Sequence, residues 1–366
     1  MLELQFGFLA LTWGQVAMIF VGAVLLYLGI AKKMEPLLLA PIGFGAILAN
    51  LPLTGIVESD GLLALVYTYL IKTEIVPLLI FMGIGAMTDF GPLLADPKTF
   101  ILGAAAQIGI YCAMLVAVAL KFPLSEACTI GIIGGADGPT TIYTATKLAP
   151  SILGSVSVAA YSYMALVPII QPPIIRALTT KRERMIRMKS PRELPHIAMI
   201  LFPIIVTVVT GLLIPSALPL IGMLMFGNLL KEAKVTERLA KSAANEIINI
   251  ATVFLGLGIG YMMTADKFIH FKTLEILILG VIAFATATAG GTLFGKLMCW
   301  LSKGKINPMI GAAGVSAVPM AARVVQRMAT EEDPENHLLM NAMGPNVAGV
   351  IGSAIAAGVF IAILGG

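Results

Sequence analysis

Apolar runs as long as a bilayer is thick constrain this chain more than any single motif. "WGQVAMIFVGAVLLYLGIA" (13–31), "TFILGAAAQIGIYCAMLVAVAL" (99–120) and "VAGVIGSAIAAGVFIAILGG" (347–366) carry no charge. Each is close to the ~20 residues that an α-helix needs to cross a hydrocarbon core. Lipid cannot satisfy an open sheet edge, so the runs are predicted to be helices. Hydrophobic residues make up 58% of the 366 and charged ones 12%, against about 25% charged in soluble domains, which argues against a soluble enzyme. The expected fold class is an all-α polytopic membrane protein. The opening "MLELQFGFLALTW" has no positive n-region and no small-residue cleavage site, so the first helix is expected to be retained. Cys112, Cys128 and Cys299 stand far apart in apolar runs. Neither they nor His196, His270 and His337 show metal-ligand spacing, so free, packed thiols are expected. The net charge of +4 says little by itself, since membrane proteins place Lys and Arg for topology rather than for nucleic acid, and no nucleic-acid partner is expected.

The most polar stretch is "TTKRERMIRMKSPREL" (179–194), with Lys181, Arg182, Arg184, Arg187, Lys189 and Arg192 close together. The positive-inside rule makes loop 181–192 cytoplasmic. It separates an N-terminal transmembrane helix (1–35) and a first membrane repeat (36–178) from a second repeat (196–366), with 179–195 as linker. "KEAKVTERLAKSAANE" (231–246) reads as an amphipathic surface helix with Glu237 and Lys241 paired at i, i+4. The halves echo each other. "PIGFGAILANL" (41–51) compares with "PLIGMLMFGNL" (219–229), "IFMGIG" (80–85) with "VFLGLG" (253–258) and "IGGADGP" (133–139) with "IGAAGVS" (310–316). All three pairs keep the same order at a displacement of roughly 175 residues. Repeated halves with Gly- or Pro-broken apolar segments at matching positions point to a transporter whose site lies near the midplane between the repeats. If each half crosses an odd number of times, the second is inverted. Close packing of glycine-rich helices is the competing explanation; it suits Gly256 and Gly258 and explains "GGADGP" poorly.

"GIIGGADGPTTIY" (131–143) holds Asp137, the only charge between Glu126 and Lys147. Gly134, Gly135, Gly138 and Pro139 break the helix there, and a break at membrane depth needs protein or a watery cavity to satisfy its backbone. An intramembrane acid is expensive and marks an ion path by default. Asp137 with freed carbonyls and the hydroxyls of Thr140 and Thr141 forms a hard-oxygen set for a cation. The same carboxylate takes a proton when neutral, so one group can exchange the two. An N-cap on a new helix is the plain reading of Asp137, and capping is compatible with ion binding. The matching segment, "KINPMIGAAGVSAVPMAARVVQ" (305–326), carries no charge from 306 to 322, with Pro308 and Pro319 as breaks. Asn307 and Ser316 supply neutral oxygens, and Gly311 and Gly314 let carbonyls approach an ion. A cation site shared between Asp137 and these neutral groups, where the broken helices cross near the midplane, is the expected construction. For Ser316 a helix-to-helix hydrogen bond is an equal alternative. "AYSYMALVPIIQPPIIRAL" (160–178) adds Tyr161, Tyr163 and Gln171, and interface anchoring is an alternative for either tyrosine. "TDFGP" (88–92) reads as a loop or cap, and "GPNVAGVIGS" (344–353) as a further polar break at Asn346.

Taken with "FMGIGAMTDFGPLLADPKT", "AAYSYMALVPIIQPPI", "LIGMLMFGNLL" and "NAMGPNVAGVIGS", these segments resemble the β subunit of the sodium ion-translocating biotin-dependent decarboxylases, from about residue 36 onward. That family acts on oxaloacetate, methylmalonyl-CoA or glutaconyl-CoA. The resemblance implies decarboxylation of carboxybiotin, sodium export and proton uptake. Its functional aspartate falls on Asp137 and its other sodium or coupling positions on Asn307, Gly311 and Ser316, with Tyr163 and Arg323 implicated in the chemistry. It also implies a separate biotin carrier protein, a carboxyltransferase α subunit, a small membrane γ/δ subunit and a β homotrimer whose core moves like an elevator. The Ala-Met-Lys-Met attachment pattern is missing, so biotin is expected on another subunit and not on this chain. The short N-terminus leans toward the acyl-CoA members.

Sodium is expected to bind where the broken segments meet, carboxybiotin to enter from the cytoplasm, and the proton consumed with CO2 loss to reach or pass Asp137 and release the ion outward. Arg323 would attract the carboxylate of carboxybiotin, with a snorkelling or topogenic charge as its alternative. The rival from another class is a sodium-coupled carrier or sodium/proton antiporter without chemistry, since breaks, repeats and a midplane acid suit it equally.

Overall fold

The computed structural model describes residues 6–33, 35–192 and 194–365. Residues 1–5, Met34, Glu193 and Gly366, which the expected first span, linker and second repeat include, lie outside the described residues. The described residues are helical and contain no strand. Among the described residues six helices are long and apolar enough to cross a membrane, or up to eight if each bent pair counts as one span.

The principal helices of the first half are α1 (Trp13–Ile30), α2 (Pro36–Ala49), α3 (Ile75–Met87), α4 (Thr99–Ala119), α5 (Leu124–Ile132), α6 (Gly138–Leu148) and α7 (Leu153–Leu178). Those of the second are α8 (His196–Leu213), α9 (Leu218–Glu232), α10 (Glu237–Tyr261), α11 (Phe271–Leu301), α12 (Met320–Glu332) and α13 (Leu339–Leu364). Local chemistry sets the starts. Thr12 and Gln15 form a capping box on α1, and Pro36 opens α2 where an N–H would lack a partner anyway. The helix faces follow lipid rather than water. α8 buries Pro203 and Thr210 and leaves Leu201, Ile205, Val208 and Leu212 exposed, as suits a helix with hydrocarbon on most of its circumference. The surface helix expected over 231–246 is not a separate element: 231–232 end α9, 233–236 turn, and 237–246 begin the apolar span α10, although Lys241 and Glu237 do pair at 2.7 Å. The three cysteines are free thiols, Cys128 and Cys299 buried.

The two central breaks take a different form from the one the sequence predicts. They are hairpins rather than interrupted helices crossing. At the foot of the first, Ser151 Oγ lies 3.3 Å from Glu126 Oε1, so the chain that enters on α5 leaves beside its own start at the end of α6. In the second, the descending limb is a 3-10 turn (Pro308–Gly314) and the return limb is α12. Asn307, before the one, and Asn336, after the other, both donate to the carbonyls of Arg184 and Ile186. The feet of the hairpins lie at opposite ends of α11. Lys272, in its first turn, pairs with Glu126 at 2.6 Å, whereas Lys296 reaches Leu178 O at 2.9 Å and Glu183 at 3.6 Å. The ~1.5 Å rise per residue separates those lysines by about 36 Å, a little more than the ~30 Å hydrocarbon thickness. The hairpins therefore enter from opposite sides, and their tips meet between.

The basic linker is more than a topogenic loop. Arg176 pairs with Glu331, Arg184 with Glu332, and Arg187 with Asp333 and Glu335, so residues 176–187 strap the foot of the second hairpin. The exposed pairs contribute little and the buried amides more. Arg187→Ala is expected to leave the melting temperature close to the parent's. Replacing Asn307 and Asn336 together by Leu leaves the half-buried Arg184 and Ile186 carbonyls without either side-chain donor and is expected to cost about 2 kcal/mol or more. Thermal unfolding of the solubilised chain ranks the two, and equal losses would contradict this division. Arg187 holds the Asp333 carboxyl below the usual carboxylate range. Its contribution is thus present at neutral pH and is lost as acid protonates the group.

Candidate functional site

The first tip is made by residues that cannot continue a helix. α5 tightens into a 3-10 turn at Ile133–Gly135, Ala136 takes a left-handed φ of 55°, and α6 starts afresh at Gly138 with Pro139 in its first turn. Asp137 is the N-cap: its Oδ1 accepts from Thr140 N at 3.0 Å. The plain reading of this residue is thus correct, and it leaves the second carboxylate oxygen free for other partners. Oδ2 lies 2.7 Å from Ser353 Oγ on α13, and Ser353 Oγ lies 3.0 Å from Ser316 Oγ at the tip of the second hairpin. The tips also touch through backbone, with Ser316 N donating to Gly135 O at 2.8 Å. Asp137 is 4% exposed and Ser353 fully buried. A carboxylate and two hydroxyls from three separate elements thus join at the place where the half-membrane hairpins abut.

Other oxygens beside Asp137 lack hydrogen-bond partners. Thr140 Oγ1 and Tyr161 Oη are buried and accept or donate no hydrogen bond among the described residues. Thr141 differs, since its hydroxyl is spent on Asp137 O at 2.7 Å. Tyr161 lies against the tip so closely that a Cβ on Gly138 would overlap its ring. Buried polar atoms normally find partners, so a group of unpartnered oxygens around a carboxylate suits a hard cation such as sodium, for which oxygen is the preferred donor.

The remaining residues singled out in the sequence are dispersed. Tyr163 points the other way from Tyr161: its hydroxyl donates to Leu277 O and its ring fills the space over Gly280 of α11. Asn307 is fully buried at the foot of the second hairpin, where its Oδ1 caps Met309 N at 3.0 Å and its Nδ2 grips the linker. The seven-residue 3-10 turn between it and the tip spans about 14 Å at ~2.0 Å per residue, so Asn307 and Asp137 are not brought together. Gly311 packs on Gly291 of α11, each lying where a Cβ would overlap the other's carbonyl oxygen. Arg323 sits one turn into α12, exposed, and makes no ion pair among the described residues. Ser353 was not singled out from the sequence. Asn346 was only a minor break there, yet its Nδ2 holds the second tip through Ala313 O at 2.9 Å and Val315 O at 2.6 Å.

A family model described as the Na+-transporting oxaloacetate decarboxylase beta subunit matches residues 14–364. The chain is similar to glutaconyl-CoA decarboxylase subunit beta of Acidaminococcus fermentans, with 56% identity over 360 residues, 98% of this chain and 96% of that protein. It is equally similar to methylmalonyl-CoA decarboxylase subunit beta of Veillonella parvula, at 56% over 358 residues, 98% of this chain and 95% of the other. The oxaloacetate decarboxylase beta chain of Klebsiella pneumoniae is 50% identical over 416 aligned residues, covering 97% and 96%.

Proposed function

Because the chain belongs to the β-subunit family of sodium-transporting decarboxylases, and is the multi-pass membrane subunit of a complex that couples decarboxylation to sodium pumping, we propose that the junction of the two hairpin tips is where it exchanges sodium for a proton. The observation that carries this reading is the buried contact of Asp137, Ser353 and Ser316. Ionised Asp137 balances a monovalent cation among neutral oxygens. Protonated, it has no charge to hold one, and the ion leaves.

Carboxybiotin, delivered by a separate carrier protein, loses CO2 when its N–C bond breaks, and the ring nitrogen takes up one proton. In this reading that proton is drawn through the site, so each carboxyl group lost drives an ion outward. Arg323, an exposed fixed cation one turn from the second tip, attracts the incoming carboxylate. Tyr163 anchors α7 on α11 beside the first hairpin. Asn307 and Gly311 act on the ion through the shape of the second hairpin, Asn307 by fixing its foot and Gly311 by its close seat on α11.

We read the two halves as inverted repeats. Matching helices serve matching purposes across the chain: α2 lies against α10 and α3 against α9. Asn50 Nδ2 donates to Met263 O at the end of α10, while Asn228 Nδ2 donates to Thr88 O at the end of α3. These crossed pairs form a scaffold against which the hairpins, α7 and α13 move in an elevator-like manner. By the positive-inside rule we read 181–192 as cytoplasmic and the membrane as the cell's cytoplasmic one. A carboxyltransferase α subunit, a small γ/δ membrane subunit and two further β copies complete the assembly. The acid acted on is methylmalonyl-CoA or glutaconyl-CoA, supported by the even, nearly full-length match to those two relatives. Co-purification in mild detergent tests this, because the carboxyltransferase partner names the acid.

Ser353→Ala tests the site itself. Hydrogen bonds to charged groups contribute about 1.5–3 kcal/mol, so half-saturation of decarboxylation by sodium is expected to rise at least about tenfold, with the maximal rate kept within a few-fold. An unchanged sodium requirement would show that Ser353 lies outside the ion's reach.

A further inference from the structure

The charge-free span α4 is interrupted once, at Gln107, which ends its first segment at Ala106 and precedes Ile108. Gln107 is 6% exposed. Its amide nitrogen lies 3.0 Å from Gly103 O and 3.4 Å from Gly349 O. Both neighbours are carbonyls, which accept only, so the NH2 must face them and the amide oxygen is forced to the other side. On that side lies the first hairpin tip. A Cβ placed on Gly135 would sit 3.6 Å from Gln107 Oε1 and 3.1 Å from Ser353 Cβ. A Cβ on Gly352 would come within 3.1 Å of Gln107 Cγ. Two glycines thus make room for this side chain beside the residue that holds Asp137. Oε1 itself accepts no hydrogen bond among the described residues.

We propose that Gln107 is a binding residue for the transported monovalent cation, contributing its amide oxygen to the set formed by Asp137, Ser353 and the hairpin tips; this rests on the assignment of that set as the ion site. The chemistry of the donors favours this. One carboxylate neutralises one monovalent charge, so further ligands must be neutral oxygens, and an amide oxygen is a stronger dipole than a hydroxyl. Held by two carbonyls through its nitrogen, Gln107 meets the cation without reorganising. The break in α4 sets it at the depth of the tips.

The experiment uses the whole solubilised decarboxylase complex and sodium chloride as probe, reading both half-saturating sodium for decarboxylation and the sodium-induced rise in melting temperature. Gln107→Met keeps the length and removes the oxygen. It is expected to raise half-saturating sodium about tenfold and to shrink the melting response in parallel, with turnover at saturating sodium changed less than threefold. Gln107→Glu restores an oxygen at the same point and is expected to recover the sodium response, with a new competition by protons as pH falls. A parent-like sodium requirement in Gln107→Met overturns the proposal, as does equal impairment of the Met and Glu variants, which packing alone would give. If the Met variant does not assemble, Gln107→Glu decides: parent-like behaviour toward both sodium and pH overturns it. Asp137→Asn, measured alongside, keeps the two claims apart. A parent-like sodium response there removes the site assignment, whereas one confined to Gln107→Met removes only the part given to Gln107.

Discussion

Replacing Asp137 by Asn is expected to lower sodium-dependent decarboxylation and sodium transport by about a thousandfold or more while leaving the fold intact. The first part follows from charge. A carboxylate ~3 Å from a sodium ion contributes about 5 kcal/mol at an effective dielectric of ~20, and each ~1.4 kcal/mol is tenfold. The second follows from the cap. Asn accepts from Thr140 N as Asp137 does and is an equally good N-cap, so α6 still starts at Gly138 and the melting temperature is expected to stay near the parent's. Sodium-stimulated turnover and sodium uptake into vesicles, taken with a melting curve, separate the two. A variant that melts normally and pumps at the full rate would remove Asp137 from the coupling step.

The next largest effect is expected at a contact of two glycines far apart in sequence. Gly311 and Gly291 each stand where a Cβ would overlap the other's carbonyl oxygen, and a Cβ on Gly291 would also meet Ala106 Cβ at 3.5 Å. Backbone cannot yield as a flexible side chain does. Gly291→Ala and Gly311→Ala are therefore each expected to destabilise the protein by about 1–3 kcal/mol, as overpacking does. They are also expected to lower turnover by similar factors, because either pushes the second hairpin off α11. The pair distinguishes two roles for Gly311. If it acted only by offering a carbonyl to sodium, Gly291→Ala would melt and turn over like the parent. A Gly291→Ala variant unchanged in both would contradict the packing role.

The sequence exposed some of this arrangement because its chemistry is local. An acid between Gly135 and Pro139 in an uncharged run is a break with a charge at its tip whatever surrounds it, and the structure puts Asp137 there. Two π-helical turns, Tyr67–Ile71 and Ala243–Ile247, fall on either side of the linker, ahead of "IFMGIG" and "VFLGLG" respectively. Other features depended on the path of the chain. Tyr161 and Tyr163 are two residues apart, about 200° around a helix, so only the placement of α7 decides that Tyr161 meets Gly138 and Tyr163 meets α11. Asn307 begins the second hairpin, and because that hairpin turns back it holds Asn307 at the foot, whereas a crossing helix would have carried it near the midplane. Ser353 gives no signal in "VIGSAIAAG", where a serine among small residues reads as helix packing. The linker's acidic partners at 331–335 lie far along the chain, so its arginines read as topology alone.

Density for the ion tests the central claim most directly: the structure of the assembled complex determined at saturating sodium and again with sodium replaced by choline. The account expects a sodium-dependent peak within coordinating distance of an Asp137 carboxylate oxygen, flanked by Ser353 and the hairpin tips, that is missing in choline. The same peak elsewhere, or a dry, unchanged contact around Asp137 at both extremes, would contradict it.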